Sequence, residues 1–260
     1  MEPEAGSRYI ATMAAAKVKT VTLDHVACGV PSISAAIPLL EGTLRTRPHR
    51  RGPSPEFFAA QWAFEGDGRL ELLEPAGPEG GFMHRFLQSR GAGVHHATFK
   101  VPDLHAARAR AQAAGFEVIG FNDANPGWKE CFLHPKQAMG LVVQMAESDP
   151  DVDSSTWLEF GPTLERPGDA PGATFLGLRL AVRSLETATR LWGEAACAAS
   201  VRREGGEAFF NWDDSPLTLH VVETDEYPEG PLGLEVRLPN GMRLEQNPPP
   251  SIGARLLIQP

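Results

Sequence analysis

Two histidines, a carboxylate and a carboxamide stand at matched places in this chain. His25 lies five residues before Val30-Pro31, and His96 lies five residues before Val101-Pro102, so both features share one offset of 71 residues. Glu71 follows His25 by 46 residues and Gln144 follows His96 by 48. Each sits inside an apolar run, Leu70-Glu71-Leu72-Leu73 and Leu141-Val142-Val143-Gln144-Met145. A strand with one buried face can present such a single polar residue into an otherwise apolar interior. Burying an imidazole or a carboxylate is costly unless it is paired or coordinated. Two imidazoles, a carboxylate and a carboxamide oxygen suit one divalent ion (Zn, Ni, Co, Mn or Fe), with water completing the shell. Taken singly, each residue has an ordinary reading: a strand histidine is most often a satisfied core residue, and Glu71 could lie on a wet face. The match through a repeat makes the four a candidate site.

The repeat also dictates the elements that must position them. Each copy opens with a β-rich run that reaches Val-Pro, where proline ends the strand ladder and suits a first helical turn. Helical stretches are expected over 32–42 and 103–114; in the second, Leu104, Ala107, Ala111 and Ala114 recur at helical spacing before Gly115. Strands are expected at Phe57–Phe64 and Leu70–Leu73, joined by the turn Glu65-Gly66-Asp67-Gly68, and at Glu117–Phe121, Lys129–Leu133 and Leu141–Met145. The unit reads strand–helix–strand–strand–strand, used twice, an α+β fold of paired βαβββ modules forming an open mixed β-barrel.

A third unit begins at Leu176–Val182, continues through a helical run Ser184–Ala196, and has strands at Glu207–Trp212 and Leu217–Val222. A fourth is abbreviated: Leu234–Leu238, the turn Pro239-Asn240-Gly241, Met242–Glu245 and Ala254–Ile258. Counting back five residues from the matched positions puts Gly177 and Gly233 where the histidines stand. His220 matches Glu71, and Glu245 is the candidate match to Gln144. This is a degenerate second pair of modules without the site. The organisation expected is an extension at 1–18, a metal-binding domain at 19–147, an Asp/Ser/Pro/Gly-rich linker at 148–172 and a degenerate domain at 173–260.

The bulk composition excludes several classes. A net charge of -9 argues against a nucleic-acid partner, which needs a basic face. The exception is His49-Arg50-Arg51, which reads first as a solvated loop; its sharper reading is a clamp for an anionic substrate tail, with Arg50 as the substrate-binding candidate. Cys28, Cys131 and Cys197 are odd in number and widely spaced, which fits a reducing compartment. No stretch approaches the roughly 20 apolar residues that span a bilayer, and the N-terminus lacks the basic flank of a secretory signal. A cytoplasmic protein with a small-molecule substrate and no membrane partner is expected.

Leu23-Asp24-His25-Val26, Leu70-Glu71-Leu72-Leu73-Glu74-Pro75, Phe86-Leu87 ahead of Val94-His95-His96, and Phe132-Leu133-His134-Pro135-Lys136 together resemble the methylmalonyl-CoA epimerases of the vicinal-oxygen-chelate (glyoxalase-like) superfamily. The resemblance covers about residues 20–147. It implies that His25, Glu71, His96 and Gln144 bind the metal, and that the chemistry is proton transfer on a small oxygenated substrate, of isomerase, epimerase or lyase type. Where this family usually has a carboxylate that also moves protons, this chain has Gln144, and a carboxamide is no base at neutral pH. That leaves Glu71 as the in-site carboxylate, with Glu56 or Glu130 as second partners. It also promotes an alternative, a non-haem Fe(II) extradiol-type dioxygenase built on His25, His96 and Glu71. A third reading is a non-catalytic binding protein. Trp128, Lys129 and His134, beside a loop with Asn122 and Asp123, are substrate-binding candidates. His95 is expected to point away from His96. A homodimer stays open, since the second half can stand in for the partner that shorter family members recruit.

Overall fold

A computed structural model describes residues 18–149, 170–244 and 251–260. Most of the extension 1–18 and of the linker 148–172, and also Glu245, lie outside the described residues.

The first module runs β1 (Thr22–Gly29), a π-helical turn Pro38–Thr43, β2 (Arg47–Pro53), β3 (Phe57–Ala63) and β4 (Arg69–Pro75). Helix α1 (Phe82–Arg90) leads into the second module: β5 (Gly93–Lys100), α2 (Leu104–Ala113), β6 (Val118–Asn122), β7 (Trp128–Leu133) and β8 (Val142–Ser148). Within each module the first and last strands are parallel, β1 with β4 and β5 with β8, and the remaining neighbours are antiparallel. An antiparallel β1–β5 pair joins the modules into one eight-stranded mixed sheet, ordered β2-β3-β4-β1-β5-β8-β7-β6. The sheet stays open, with β2 and β6 as its edges. The Glu65–Gly68 turn has Gly66 and Asp67 at φ 81° and 65°, and Phe64 closes it by donating its N–H to the Gly68 carbonyl while accepting from the Asp67 N–H.

The second half repeats this plan. It comprises β9 (Thr174–Val182), α3 (Leu185–Ala188) continued by a π-helical segment Thr189–Ala195, β10 (Ser200–Glu204), β11 (Glu207–Asn211), β12 (Thr218–Glu223), β13 (Gly230–Arg237) and β14 (Leu256–Gln259). Its sheet order among the described residues, β10-β11-β12-β9-β13-β14, is that of the first sheet without the last hairpin. The expected strand at Met242–Glu245 is absent among the described residues; Met242 instead closes a turn by donating its N–H to the Pro239 carbonyl. The expected helix at 32–42 is also shorter than its pattern, beginning only at Ile37–Pro38.

The apolar core lies behind both sheets. Leu104, Ala107 and Ala111 of α2 are fully buried, and Phe99 on the rear of β5 packs on Trp192 (ring centroids 5.9 Å apart) and Trp212 (5.0 Å) from the second half. One continuous cluster therefore joins the halves. The rear face carries the stability, which frees the concave face of the first sheet for polar groups.

Candidate metal centre

His25 on β1, Glu71 on β4 and His96 on β5 meet on that concave face, all less than a tenth exposed. Their ligand atoms lie within 4.8 Å of one another. Glu71 Oε2 is 3.5 Å from His25 Nε2 and 3.8 Å from His96 Nε2, too long for good hydrogen bonds. Donors bound about 2.1 Å from one ion at tetrahedral or octahedral angles stand about 3.0–3.4 Å apart, so a slight contraction would close the three around a common ion. Donor type, burial and spacing all fit a divalent metal.

Two β-bulges explain how adjacent residues serve one site. In the β1–β5 register Leu23 pairs with Phe99 and His25 with Thr98, leaving Asp24 as the extra residue; Ala27 pairs with His96 and Cys28 with Val94, leaving His95 extra. A bulge breaks the strict in–out alternation and re-aims a side chain. Asp24 thereby reaches His25 Nδ1 at 2.7 Å, and His95 Nδ1 lies 2.8 Å from His96 Nδ1. The expectation that His95 turns away from His96 is corrected: its ring packs against Phe82 and Phe86 of α1 while its Nδ1 faces its neighbour. Both site histidines are thus braced at Nδ1, which leaves Nε2 to face the centre, the arrangement that fixes a ligating imidazole.

The electrostatics divide the pair. Burial lowers the basicity of His25, but the Glu71 charge, the hydrogen bond to Asp24 and the Asp24 charge outweigh it and raise its pKa to about 9. For His96, burial and the nearby His95 and His25 rings push the pKa well below 6.5. Asp24, also touched by Arg69 at 3.3 Å, is held far below the carboxylate range despite its burial.

Around the three, Gln61 Nε2 donates to Glu71 Oε1 at 2.9 Å and so leaves Oε2 aimed at the histidines. A continuous chain of hydrogen bonds continues from His25. Its Nε2 lies 3.0 Å from Thr98 Oγ1, which donates to Gln144 Oε1 at 2.6 Å; Gln144 Nε2 donates to Glu130 Oε2 at 2.8 Å, as does Trp128 Nε1 at 2.8 Å. Gln144 thus sits one hydroxyl away from the triad and one hydrogen bond from a carboxylate.

The structure brings Gln144, Trp128 and Arg50 to this face and leaves other candidates elsewhere. Arg50 lies on β2 directly across from Gln61, which lies across from Glu71; the segment expected as a loop is an edge strand. Lys129 points to the opposite side, pairing with Glu147 at 2.8 Å, and His134 is exposed in a turn where Nδ1 accepts from the Lys136 N–H. Glu56 accepts from the first N–H of α1, away from the triad. Asp24, Gln61, Thr98, Arg69 and Lys100 are site neighbours that pattern reading missed. Gln61 had a signal of its own, a lone amide in the apolar run of β3. A cavity of about 340 Å³ lined by Thr20, Arg110, Cys197 and Asp213 contains none of these groups, so chemistry rather than volume locates the site.

Among the described residues the second half has no such centre at the corresponding place. Gly177 and Gly233 occupy the histidine positions, each beside its own bulge. A Cβ at Gly177, whose φ is 142°, would collide with the Thr218 carbonyl, so no histidine fits there. By register Leu257 on β14 takes the place of Gln144, paired with Glu235 as Gln144 is with Thr98; the expected Glu245 lies outside the described residues. His220, the counterpart of Glu71, is instead bound into an ionic cluster, with Nδ1 2.9 Å from Glu235, Nε2 3.1 Å from Glu207, and Arg179 Nε donating to Glu235 at 2.6 Å.

A family model described as the glyoxalase/bleomycin resistance protein/dioxygenase superfamily matches residues 24–132. The ethylmalonyl-CoA/methylmalonyl-CoA epimerase of Cereibacter sphaeroides is 32% identical over 130 residues, covering 48% of this chain and 96% of that protein. Human mitochondrial methylmalonyl-CoA epimerase is 28% identical over 136 residues, 48% of this chain and 73% of that protein. Across both halves the fold is similar to a mutant of 4-hydroxymandelate synthase from Streptomyces coelicolor, with TM-score 0.59 at 13% identity over 84% of this chain and 71% of that one. It is also similar to a hypothetical protein from Staphylococcus aureus, with TM-score 0.60 at 10% identity over 92% and 99%.

Proposed function

Because the chain belongs to the glyoxalase/bleomycin resistance protein/dioxygenase superfamily, we propose that it is a divalent-metal-dependent enzyme that moves a proton at a carbon next to a carbonyl, of the acyl-CoA epimerase type. The observation that carries this reading is the buried His25–Glu71–His96 triad, with Nδ1 of both histidines braced from behind. A bound divalent ion would supply an electrophile for two neighbouring substrate oxygens.

The chain's own groups divide the remaining work. Glu71 is a fixed ligand: Gln61 holds Oε1, and Oε2 faces both histidines. Proton transfer then falls to Glu130, the carboxylate hydrogen-bonded to Gln144 and Trp128 at the edge of the centre. In this reading Glu130 takes over from the neighbouring strand the proton-holding role that Gln144 cannot perform. Thr98 and Gln144 orient Glu130 and connect it to His25.

Solvent deuterium exchange into methylmalonyl-CoA tests the proposal. Metal-dependent exchange without oxygen consumption is the expected result; no exchange with any divalent metal refutes it. The same two-histidine, one-carboxylate set is the ligand set of Fe(II) oxygenases. Oxygen uptake with a catechol in the iron-loaded protein would establish that alternative. Ligand binding without metal or turnover would establish the non-catalytic reading.

A further inference from the structure

The cavity of about 340 Å³ lies at the seam between the two halves, and both supply its walls. Val21, Pro102 and Arg110 come from the first half, Cys197, Ala199 and Asp213 from the second. Arg110 stands in the last turn of α2, and among the described residues its guanidinium has no hydrogen bond and no ion pair. Its Nε and Nη2 are buried as well as unpaired, two of the four such side-chain atoms among the described residues. A cation in a last helical turn gains from the helix dipole, but that gain does not pair its N–H groups. Buried donors without a partner are costly, charged ones most of all, so a cavity beside them invites an acceptor. Asp213 puts the opposite charge on the same walls; it is exposed and forms no ion pair with Arg110 or any other described residue. Its neighbour Asp214 is engaged, accepting from Thr20 Oγ1 at 3.2 Å. Val21, Pro102 and Ala199 add apolar wall between the two charges, and the volume is that of a small-molecule site.

We propose that this seam cavity is a second ligand site, built for a small zwitterion: a free α-amino acid with an aliphatic side chain. Its carboxylate meets the guanidinium of Arg110, whose planar fork suits two carboxylate oxygens. Its ammonium meets Asp213, and its side chain covers Val21, Pro102 and Ala199. A simple anion is opposed by Asp213 and a simple amine by Arg110, so the pair selects a ligand that carries both charges. Because Arg110 belongs to one half and Asp213 to the other, the bound ligand ties the halves together. None of these groups belongs to the triad, so the site stands apart from the metal reading.

Three probes that differ only in their charged groups test this by calorimetry: leucine, 4-methylpentanoate without the ammonium, and 3-methylbutylamine without the carboxylate. The full chain is titrated with a chelator present, so that no ion at the triad can hold an amino acid. Leucine should bind with a Kd of about 10 µM to 1 mM, and each of the other two at least about tenfold more weakly. Arg110→Gln should weaken leucine binding by about tenfold or more. Asp213→Asn, at an exposed position that folding does not depend on, should bring leucine and 4-methylpentanoate within about twofold of each other. Cys197 reports the location. Cys28 and Cys131 are fully buried, so alkylation of the folded chain reads the half-buried Cys197 on the cavity wall. Leucine at ten times its Kd should slow that alkylation to about a tenth, the fraction of chains left unliganded. No binding of leucine, equal affinity for the three probes, leucine affinity unchanged in both variants, or alkylation of Cys197 indifferent to bound leucine overturns the site.

Discussion

Metal binding to this chain should be steeply pH-dependent, and the steepness comes from one imidazole. In the metal-free protein His25 carries a proton, because Glu71 and Asp24 raise its pKa to about 9 against the cost of burial. His96 is already neutral, its pKa pushed well below 6.5. Nε2 of His25 must therefore lose its proton before it can ligate. At pH 7 only about 1% of the chains have His25 deprotonated, so apparent affinity should rise about tenfold per pH unit from 7 to 9 and level off above. The sign for folding runs the other way. A pKa raised above the unfolded value gives the metal-free protein stability that is fully present below about pH 6.5 and is lost as pH rises through about 9. Competition titrations of Co(II) against a chelator of known pH dependence measure the affinity. Calorimetry in buffers of different ionisation enthalpy counts protons, with about one released per metal at pH 7.5. Asp24→Asn removes one of the charges that raise His25, so the plateau should begin at lower pH. An affinity flat between pH 7 and 9, with no proton released, would refute the assignment of His25 as a protonated ligand.

Further outcomes follow from the same geometry. Glu130→Gln should lower deuterium exchange by about a hundredfold or more while metal content is unchanged, as read by exchange rate and metal analysis on one sample. Gln61→Leu frees Glu71 Oε1 and should weaken metal binding by about 10–100-fold in the same competition titration. In the second half, Arg179→Met leaves the buried Glu235 without its shortest contact and should cost about 1–3 kcal/mol in denaturant unfolding, with no change in metal stoichiometry.

The repeat makes much of this legible in the sequence. The 71-residue offset placed His25 and His96 on equivalent strands, and β1–β5 pairing brings those strands side by side. The hydrophobic alternation also located β3, β4, β7 and β8, because each has one face in the core. Edge strands were harder to see. Arg47–Pro53 carries two prolines and three arginines and reads as loop, yet proline and charge are tolerated where one side of a strand lacks a partner. Ser200–Glu204, exposed throughout, escaped for the same reason. The bulges were hidden too: period-2 reasoning turns Asp24 and His95 away, and only the paired register reveals the extra residue in each strand. The same periodicity places Lys129 on the outer face, with Glu147, while its neighbours Trp128 and Glu130 take the inner face. In the shortened fourth module the register places Leu257 of β14 beside Glu235, where the first half has Gln144 beside Thr98.

The proposed function stands on His25, Glu71 and His96 holding one divalent ion. Elemental analysis of the purified full chain, alongside Glu71→Ala and His96→Ala, tests it most directly. One tightly held metal per wild-type chain is expected, and less than about a tenth of that in either variant. A wild-type chain without stoichiometric metal after exposure to divalent cations, or metal retained in both variants, would contradict it.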